Sequence, residues 1–342
     1  MIDFIHIGEG KTGTTWLQKY GFHHPEISYL GRPFDDELSS ILKRMVHTPD
    51  FMFNPVQFQS ELQKYLEKKP KERKISGISW EWLISSGNLW KGDHIFRNAE
   101  RLRAVFGDIK VIYVIREQKS MLLSLYSQYI KMGGTLKLEE FLFDPYHSID
   151  CIEKLKYHYT IDKYIHLFGK ENVWIGLYEE FKLDKPSFLK KLYSFIGCKN
   201  TEYLPQGMDE IANSSLKDIT LSIFRFLNHF IRSNNNTSSY LIPIDKLILA
   251  IIKNTQKYSS LERESHNTCI PYYNFAKDNY IRKHINNLLL GYLRETMNKI
   301  NIGKPIKFNK KIEKFLNHEY KQSNELLYEK YDLNIKKFGW VL

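Results

Sequence analysis

The 342 residues are 42% apolar and 14% aromatic, which excludes a disordered chain and leaves room for one large domain or two. A net charge of +11 calls for an anionic ligand or surface partner. Three widely separated cysteines, Cys151, Cys198 and Cys269, exclude a disulfide framework and a cysteine-rich zinc site.

In chain order, Ile2, Phe4, Ile5 and Ile7 read as a short buried strand over 2–7. Gly8-Glu9-Gly10-Lys11-Thr12-Gly13-Thr14-Thr15 follows, and Trp16, Leu17 and Tyr20 form the apolar side of a helix over 14–21. A strand, a glycine-rich turn and a helix N-terminus place several backbone N–H groups around one point. Lys11 adds a mobile positive charge and the three threonines add hydroxyls, so the turn reads as a phosphate cradle. Further strands are predicted over 75–79, 110–115 and 173–177, and helices over 57–68, 97–106, 117–131, 152–168 and 186–196. This alternation predicts an α/β fold, a P-loop-like parallel sheet flanked by helices. Ligands of such sheets sit at the carboxyl ends of the strands, where 8–15, Trp80-Glu81 and Arg116 all fall.

Residues 216–300 read as helical, broken by the polar run Asn234-Asn235-Asn236-Thr237-Ser238-Ser239, with helix candidates at 241–252 and 281–292. We therefore expect a nucleotide-binding core over 1–205 and a mainly helical subdomain over 206–342. That subdomain is expected to form an acceptor wall, a dimer surface or an amphipathic contact with a membrane. The histidines lack metal-ligand spacing. The chain opens on a strand without a secretion signal and has no uncharged apolar run of about 18 residues, which points to a cytoplasmic protein. Its Lys-, Asn- and Ile-rich usage suits a bacterial source. No basic motif with interleaved aromatics argues for nucleic acid.

The nucleoside-triphosphate loop G-x-x-x-x-G-K-[ST] would need its first glycine at position 5, which is Ile5. The strand over 110–115 ends in Arg116 where a metal-binding Asp is wanted. A P-loop kinase or ATPase is thus a weaker reading. A non-catalytic nucleotide-binding protein is another.

Lys11-Thr12-Gly13-Thr14-Thr15-Trp16 resembles the 5′-phosphosulfate loop of sulfotransferases that use 3′-phosphoadenosine 5′-phosphosulfate (PAPS), with Gly10 where many members have Pro. Arg116 at a strand end and Ser124 eight residues on resemble the family's 3′-phosphate motif. Val173-Trp174-Ile175-Gly176-Leu177-Tyr178-Glu179-Glu180-Phe181, with Phe195-Ile196-Gly197 beyond it, is similar to the family's strand–turn–helix, Phe181 standing for the usual Leu. Weaker echoes lie at Asn213-Ser214-Ser215 and over 320–331, where Ser323-Asn324 matches a pair in bacterial members. The arylsulfotransferase tail Arg-Lys-Gly-x-x-Gly-Asp-Trp-Lys is absent, which favours the carbohydrate-type branch.

The resemblance implies sulfuryl transfer from PAPS to a hydroxyl or amine of a saccharide, a glycolipid or another acceptor, without a metal. It implies nucleotide binding by Lys11, Thr12, Gly13, Thr14, Thr15, Trp16, Arg116 and Ser124, with Lys11 at the leaving phosphate. Glu81, flanked by Trp80 and Trp82, is the candidate base; His23 and His24 are the alternatives. Trp80, Trp82 and Trp90 are candidates to line the acceptor cleft.

Overall fold

The structure, a computed structural model, describes residues 2–342 apart from 33, 70–73, 86–91, 93, 144–148, 211–215, 232, 234–287, 290, 294 and 298. Cys269, Trp90, the Asn213-Ser214-Ser215 echo, the polar run over 234–239, the helix candidate over 241–252 and most of that over 281–292 lie outside the described residues. The chain divides into two compact units, one made of Met1–Leu122, Leu142–Ala212 and Phe308–Leu342, the other of Leu123–Phe141 and Asn213–Lys307.

The first unit holds a five-stranded sheet in the order β2-β3-β1-β4-β5, with every pairing parallel. Its strands are β1 (Phe4–His6), β2 (Ile27–Tyr29), β3 (Ile75–Ser79), β4 (Lys110–Ile115) and β5 (Val173–Leu177). β1 is central, pairing Ile5 with Ile78 on one side and with Val111 on the other. A strand buried on both faces reads as a continuous apolar run, as in the Val-Ile-Tyr-Val-Ile of β4. Phe4, Ile112 and Val114 pack with Trp16, Phe22, Phe188, Leu192 and Tyr193 in one apolar cluster. β2 is an addition to the predicted strands. It is an edge strand of three residues, Ile27-Ser28-Tyr29, too short and too polar to show a period.

The turn after β1 leads into α1 (Thr14–Trp16), which continues as a π-helical turn over Leu17–Gly21. Helices α2 (Asp36–His47) and α3 (Pro55–Glu67) are each capped by a side chain, Asp35 accepting from Leu38 N and Asn54 from Val56 N. Next come α4 (Trp82–Ser85), α5 (Ile95–Phe106) and α6 (Gln118–Lys131), the last crossing from the first unit into the second. The helix predicted over 152–168 is two, α7 (Ile149–Glu153) and α8 (Tyr157–Phe168), because Lys156 leaves the helical backbone at φ −75°, ψ 70°. α9 (Tyr178–Leu183) and α10 (Lys185–Ile196) follow β5, and Gly197 at φ 103° ends the pair.

In the second unit, α11 (Asp218–Asn228) is held at both ends. Asn228 Nδ2 donates to the carbonyls of Ile130 and Gly134 at 2.8 Å each, and Thr220 Oγ1 donates to Ile300 O at 2.8 Å. The last long helix, α12 (Lys310–Glu329), belongs to the first unit and buries Ser323 and Asn324. Asn324 exchanges side-chain amide hydrogen bonds with Gln118, the first residue of α6, and Ser323 Oγ lies 2.8 Å from His158 Nδ1. Asn324 therefore fastens the start of α6, and Ser323 fastens α8. Among the described residues no helix is long and apolar enough to cross a membrane.

Candidate functional site

Residues 8–15 leave the carboxyl end of β1 and curl back on themselves. The Glu9 carbonyl accepts from Thr12 Oγ1 at 2.6 Å and from Thr14 Oγ1 at 3.1 Å. Lys11 (φ 74°) and Gly13 (φ 83°) both take the left-handed backbone. For Lys11 that conformation costs on the order of 1 kcal/mol. At position 13 only glycine fits, since a Cβ there would lie 2.9 Å from the Phe181 ring. Turns of this kind point successive N–H groups into a concavity. Among the described residues, the N–H groups of Gly10, Thr12, Gly13 and Thr14 meet no hydrogen-bond acceptor.

Thr12 and Thr14 are buried, and their hydroxyl protons go to Glu9 O, so they shape the turn from inside. Thr15 is exposed and Lys11 half-buried. Trp16 is 2% exposed, packs against Phe181 with ring centroids 5.2 Å apart, and donates through Nε1 to Gly207 O at 3.1 Å. Its place is under the turn.

β4 runs beside β1 and ends in Arg116. The guanidinium Nη1 donates to Lys11 O at 3.1 Å, Nε donates to Ser120 Oγ at 3.0 Å, and the group lies over the Tyr178 ring at 4.9 Å. Arginine carries five N–H donors in a planar fork, so these contacts aim the group without exhausting it. Beside it, Glu179 Oε1 accepts from Glu117 N at 3.0 Å while Oε2 is buried without a hydrogen-bond partner. Burial raises the Glu179 pKa above the usual carboxylate range. The strand–turn–helix segment over 173–181 thus supplies Phe181 beneath Gly13 and Tyr178 beneath Arg116. Tyr178 was read in the sequence only as part of that scaffold segment, and Ser120 was not singled out; the signal for Ser120 was its i+4 spacing from Arg116 along the starting helix. Ser124 is half-buried, one turn further along α6.

β3 flanks β1 on the other side, and Trp80-Glu81 follows it. Glu81 Oε2 lies 3.8 Å from Arg32 Nη1 and is otherwise without a hydrogen-bond partner. The Glu81 side chain is 15% exposed, so it is sheltered yet reachable. Trp80 is buried and stacks on half-buried Trp82, with centroids 5.2 Å apart and planes inclined by 23°. His23 is exposed, with Nε2 3.1 Å from Gln18 O. His24 is buried and fully engaged: Nδ1 accepts from Glu26 N at 3.0 Å and Nε2 lies 2.9 Å from Asn200 O. That leaves His24 no free nitrogen for proton transfer.

Between β1 and β3, His6 Nδ1 lies 2.7 Å from Ser79 Oγ, which also accepts from Gln18 Nε2 at 3.2 Å. Burial pushes the His6 pKa down to about 3, so the ring under the turn is neutral. No group of three or more His, Cys, Asp or Glu suited to a metal ion occurs among the described residues. The carboxyl ends of β3, β1 and β4 thus carry a sheltered carboxylate, a turn with unused N–H groups and a lysine, and an aimed guanidinium.

The family model for the sulfotransferase domain matches residues 2–238. No curated protein sequence matches the chain. Among solved structures, a sulfotransferase from Alicyclobacillus acidocaldarius is 20% identical, covering 67% of this chain and 92% of its own, with a TM-score of 0.45. The mouse sulfotransferase SULT7A1 complexed with PAP is 16% identical, covering 78% of this chain and 89% of its own, with a TM-score of 0.32.

Proposed function

The chain belongs to the sulfotransferase family, and from that premise we propose that it moves a sulfuryl group from PAPS to a hydroxyl of a saccharide in the cytoplasm. The observation that supports this best is the bond from Arg116 Nη1 to Lys11 O, which ties a guanidinium to the rim of a turn whose N–H groups of Gly10, Thr12, Gly13 and Thr14 meet no acceptor among the described residues. Two anion grips at the ends of neighbouring strands suit a nucleotide phosphorylated at two positions.

PAPS, when bound, supplies the sulfuryl group on a phosphosulfate linkage. The turn's N–H groups and the exposed Thr15 hold the 5′-phosphate. Arg116, kept in place by Tyr178 and Ser120, grips the 3′-phosphate. The Lys11 ammonium stabilises negative charge growing on the leaving phosphate, an interaction stronger in the transition state than before it. Glu81 takes the proton from the acceptor hydroxyl. Its distance from Arg32 exceeds a direct hydrogen bond, so the carboxylate keeps lone pairs for that proton.

Titration with 3′-phosphoadenosine 5′-phosphate (PAP), and in parallel with ATP and magnesium, tests the nucleotide. A transfer assay with radiolabelled PAPS over saccharide acceptors tests the reaction. PAP binding with label transferred is the expected result. Binding of ATP alone, dependent on magnesium, would overturn the reading.

A further inference from the structure

The second unit contains an open cleft of about 620 Å3, of the size that holds a small ligand. Four cations line it: Lys137, Arg225, Lys304 and Lys307. None of them forms an ion pair among the described residues. Many other lysines of this chain do, such as Lys68 with Glu37 at 2.7 Å and Lys156 with Glu319 at 3.1 Å.

Asp218 is the one carboxylate in the lining, and it is already engaged. Its Oδ1 accepts from Ile219 N at 2.7 Å and from Lys304 N at 2.8 Å. It is the first residue of α11 and fixes the backbone that carries Lys304. Further ties hold the same wall, with Ile302 N donating to Thr220 Oγ1 at 2.9 Å and Lys217 bridging Pro305. Like charges repel, so placing four of them around one concavity against a single carboxylate is unfavourable until an anion enters. A braced wall lowers the ordering that binding requires.

The cleft also presents apolar surface, notably half-buried Leu138 and exposed Pro305. A concave site with both characters suits rings that carry acidic groups. A flat membrane surface does not enter a concavity, and a nucleic-acid strand calls for a stripe of cations with stacking aromatics. Tyr126, the one aromatic of the lining, is 6% exposed with its hydroxyl on Leu136 O at 3.1 Å. α6 turns about 100° per residue, so Tyr126 stands on the side of the helix away from Ser124, and Ser124 does not line the cleft.

We propose that this cleft binds an acidic saccharide, its carboxylate or sulfate groups taking Lys137, Arg225, Lys304 and Lys307 while its ring faces rest on Leu138 and Pro305. The ligand class rests on the reading above that the acceptor is a saccharide. The site itself stands on the unpaired cations.

The test is calorimetric titration of the full chain with sucrose octasulfate and with a hyaluronan tetrasaccharide, using maltotetraose as the neutral control and PAP in a separate titration. Both acidic probes should bind, more weakly as salt rises from about 50 to about 300 mM. The pair Lys304→Ala and Lys307→Ala, both exposed positions, should weaken them roughly tenfold and leave PAP affinity and the thermal melt unchanged. Equal binding of maltotetraose, or acidic-probe affinity indifferent to the two substitutions, would overturn the proposal. So would loss of PAP affinity in the double variant, which would make the cleft a nucleotide site. Binding of phosphatidylglycerol vesicles or a thymidine decamer through the same lysines, with neither saccharide bound, would reject the ligand class. PAP bound without the acidic probes sinks the cleft alone; acidic probes bound without PAP support the cleft and sink the nucleotide reading.

Discussion

Lys154 Nζ lies 3.0 Å from Glu9 Oε2, and both side chains are 1% exposed. This is a buried ion pair one residue from the start of the phosphate turn. The Glu9 carbonyl anchors Thr12 and Thr14, so the pair fixes the residue on which the turn is folded. Glu9 Oε1 has no hydrogen-bond partner, which makes the pair an incompletely satisfied one. Removing one member of such a pair costs about 3–5 kcal/mol, because the other charge stays buried. Lys154→Met should lower stability in urea by that order, and Glu9→Gln in the same chain should restore part of it. PAP affinity of the single variant should fall as the turn loosens. A Lys154→Met protein as stable as the parent would show that the pair holds nothing in place.

Arg116 is positioned on three sides, by Lys11 O, by Ser120 Oγ and by the Tyr178 ring. A lysine in its place keeps the charge but loses the planar fork. Arg116→Lys should weaken PAP about tenfold or more, with a smaller effect on adenosine 5′-phosphosulfate, which lacks the 3′-phosphate. Equal losses for the two nucleotides would place the guanidinium elsewhere than at the 3′ end.

The central strands were legible because burial on both faces leaves a run of apolar residues, and the phosphate turn because its glycine and lysine follow such a run directly. β2 was not legible: three residues at a sheet edge carry no period. The supporting residues were hidden for a different reason. Tyr178 and Ser120 act through their distance from Arg116, and Lys154 meets Glu9 across 145 residues of chain, which no local pattern encodes. The roles of Thr12 and Thr14 were half legible. Their hydroxyls were readable as donors, but that they donate to Glu9 O depends on the left-handed backbone at Lys11 and Gly13.

Glu81 carries the proton-transfer role in the proposed reaction. Glu81→Gln keeps size and polarity but cannot accept a proton at neutral pH. Turnover should fall by about 10²–10⁴-fold, the usual range for a general base, while PAP affinity and the thermal melt stay near the parent values. The neighbouring Arg32→Ala is the control, because it removes the ion-pair partner at 3.8 Å and leaves the carboxylate. Turnover in Glu81→Gln close to the parent rate would take Glu81 out of the role and direct attention to exposed His23.

His6 makes the turn's foundation sensitive to acid. It is wholly buried, with Ser79 Oγ at 2.7 Å from Nδ1 and the Phe22 ring at 5.3 Å, and burial holds its pKa at about 3 against 6.5 in the ordinary case. Between those two values the unfolded chain takes up a proton that the folded chain refuses. Stability contributed by the neutral ring is therefore complete above pH 6.5 and is lost as pH falls toward 3, at up to about 1.4 kcal/mol per pH unit. Carboxylates titrate over part of the same range, so the comparison must be with a variant. His6→Asn can keep a hydrogen bond to Ser79 and has no titrating group. Its stability in urea should fall less steeply than the parent's between pH 6 and pH 4.5. Parallel curves over that interval would mean that His6 is protonated in the folded protein as readily as in the unfolded one.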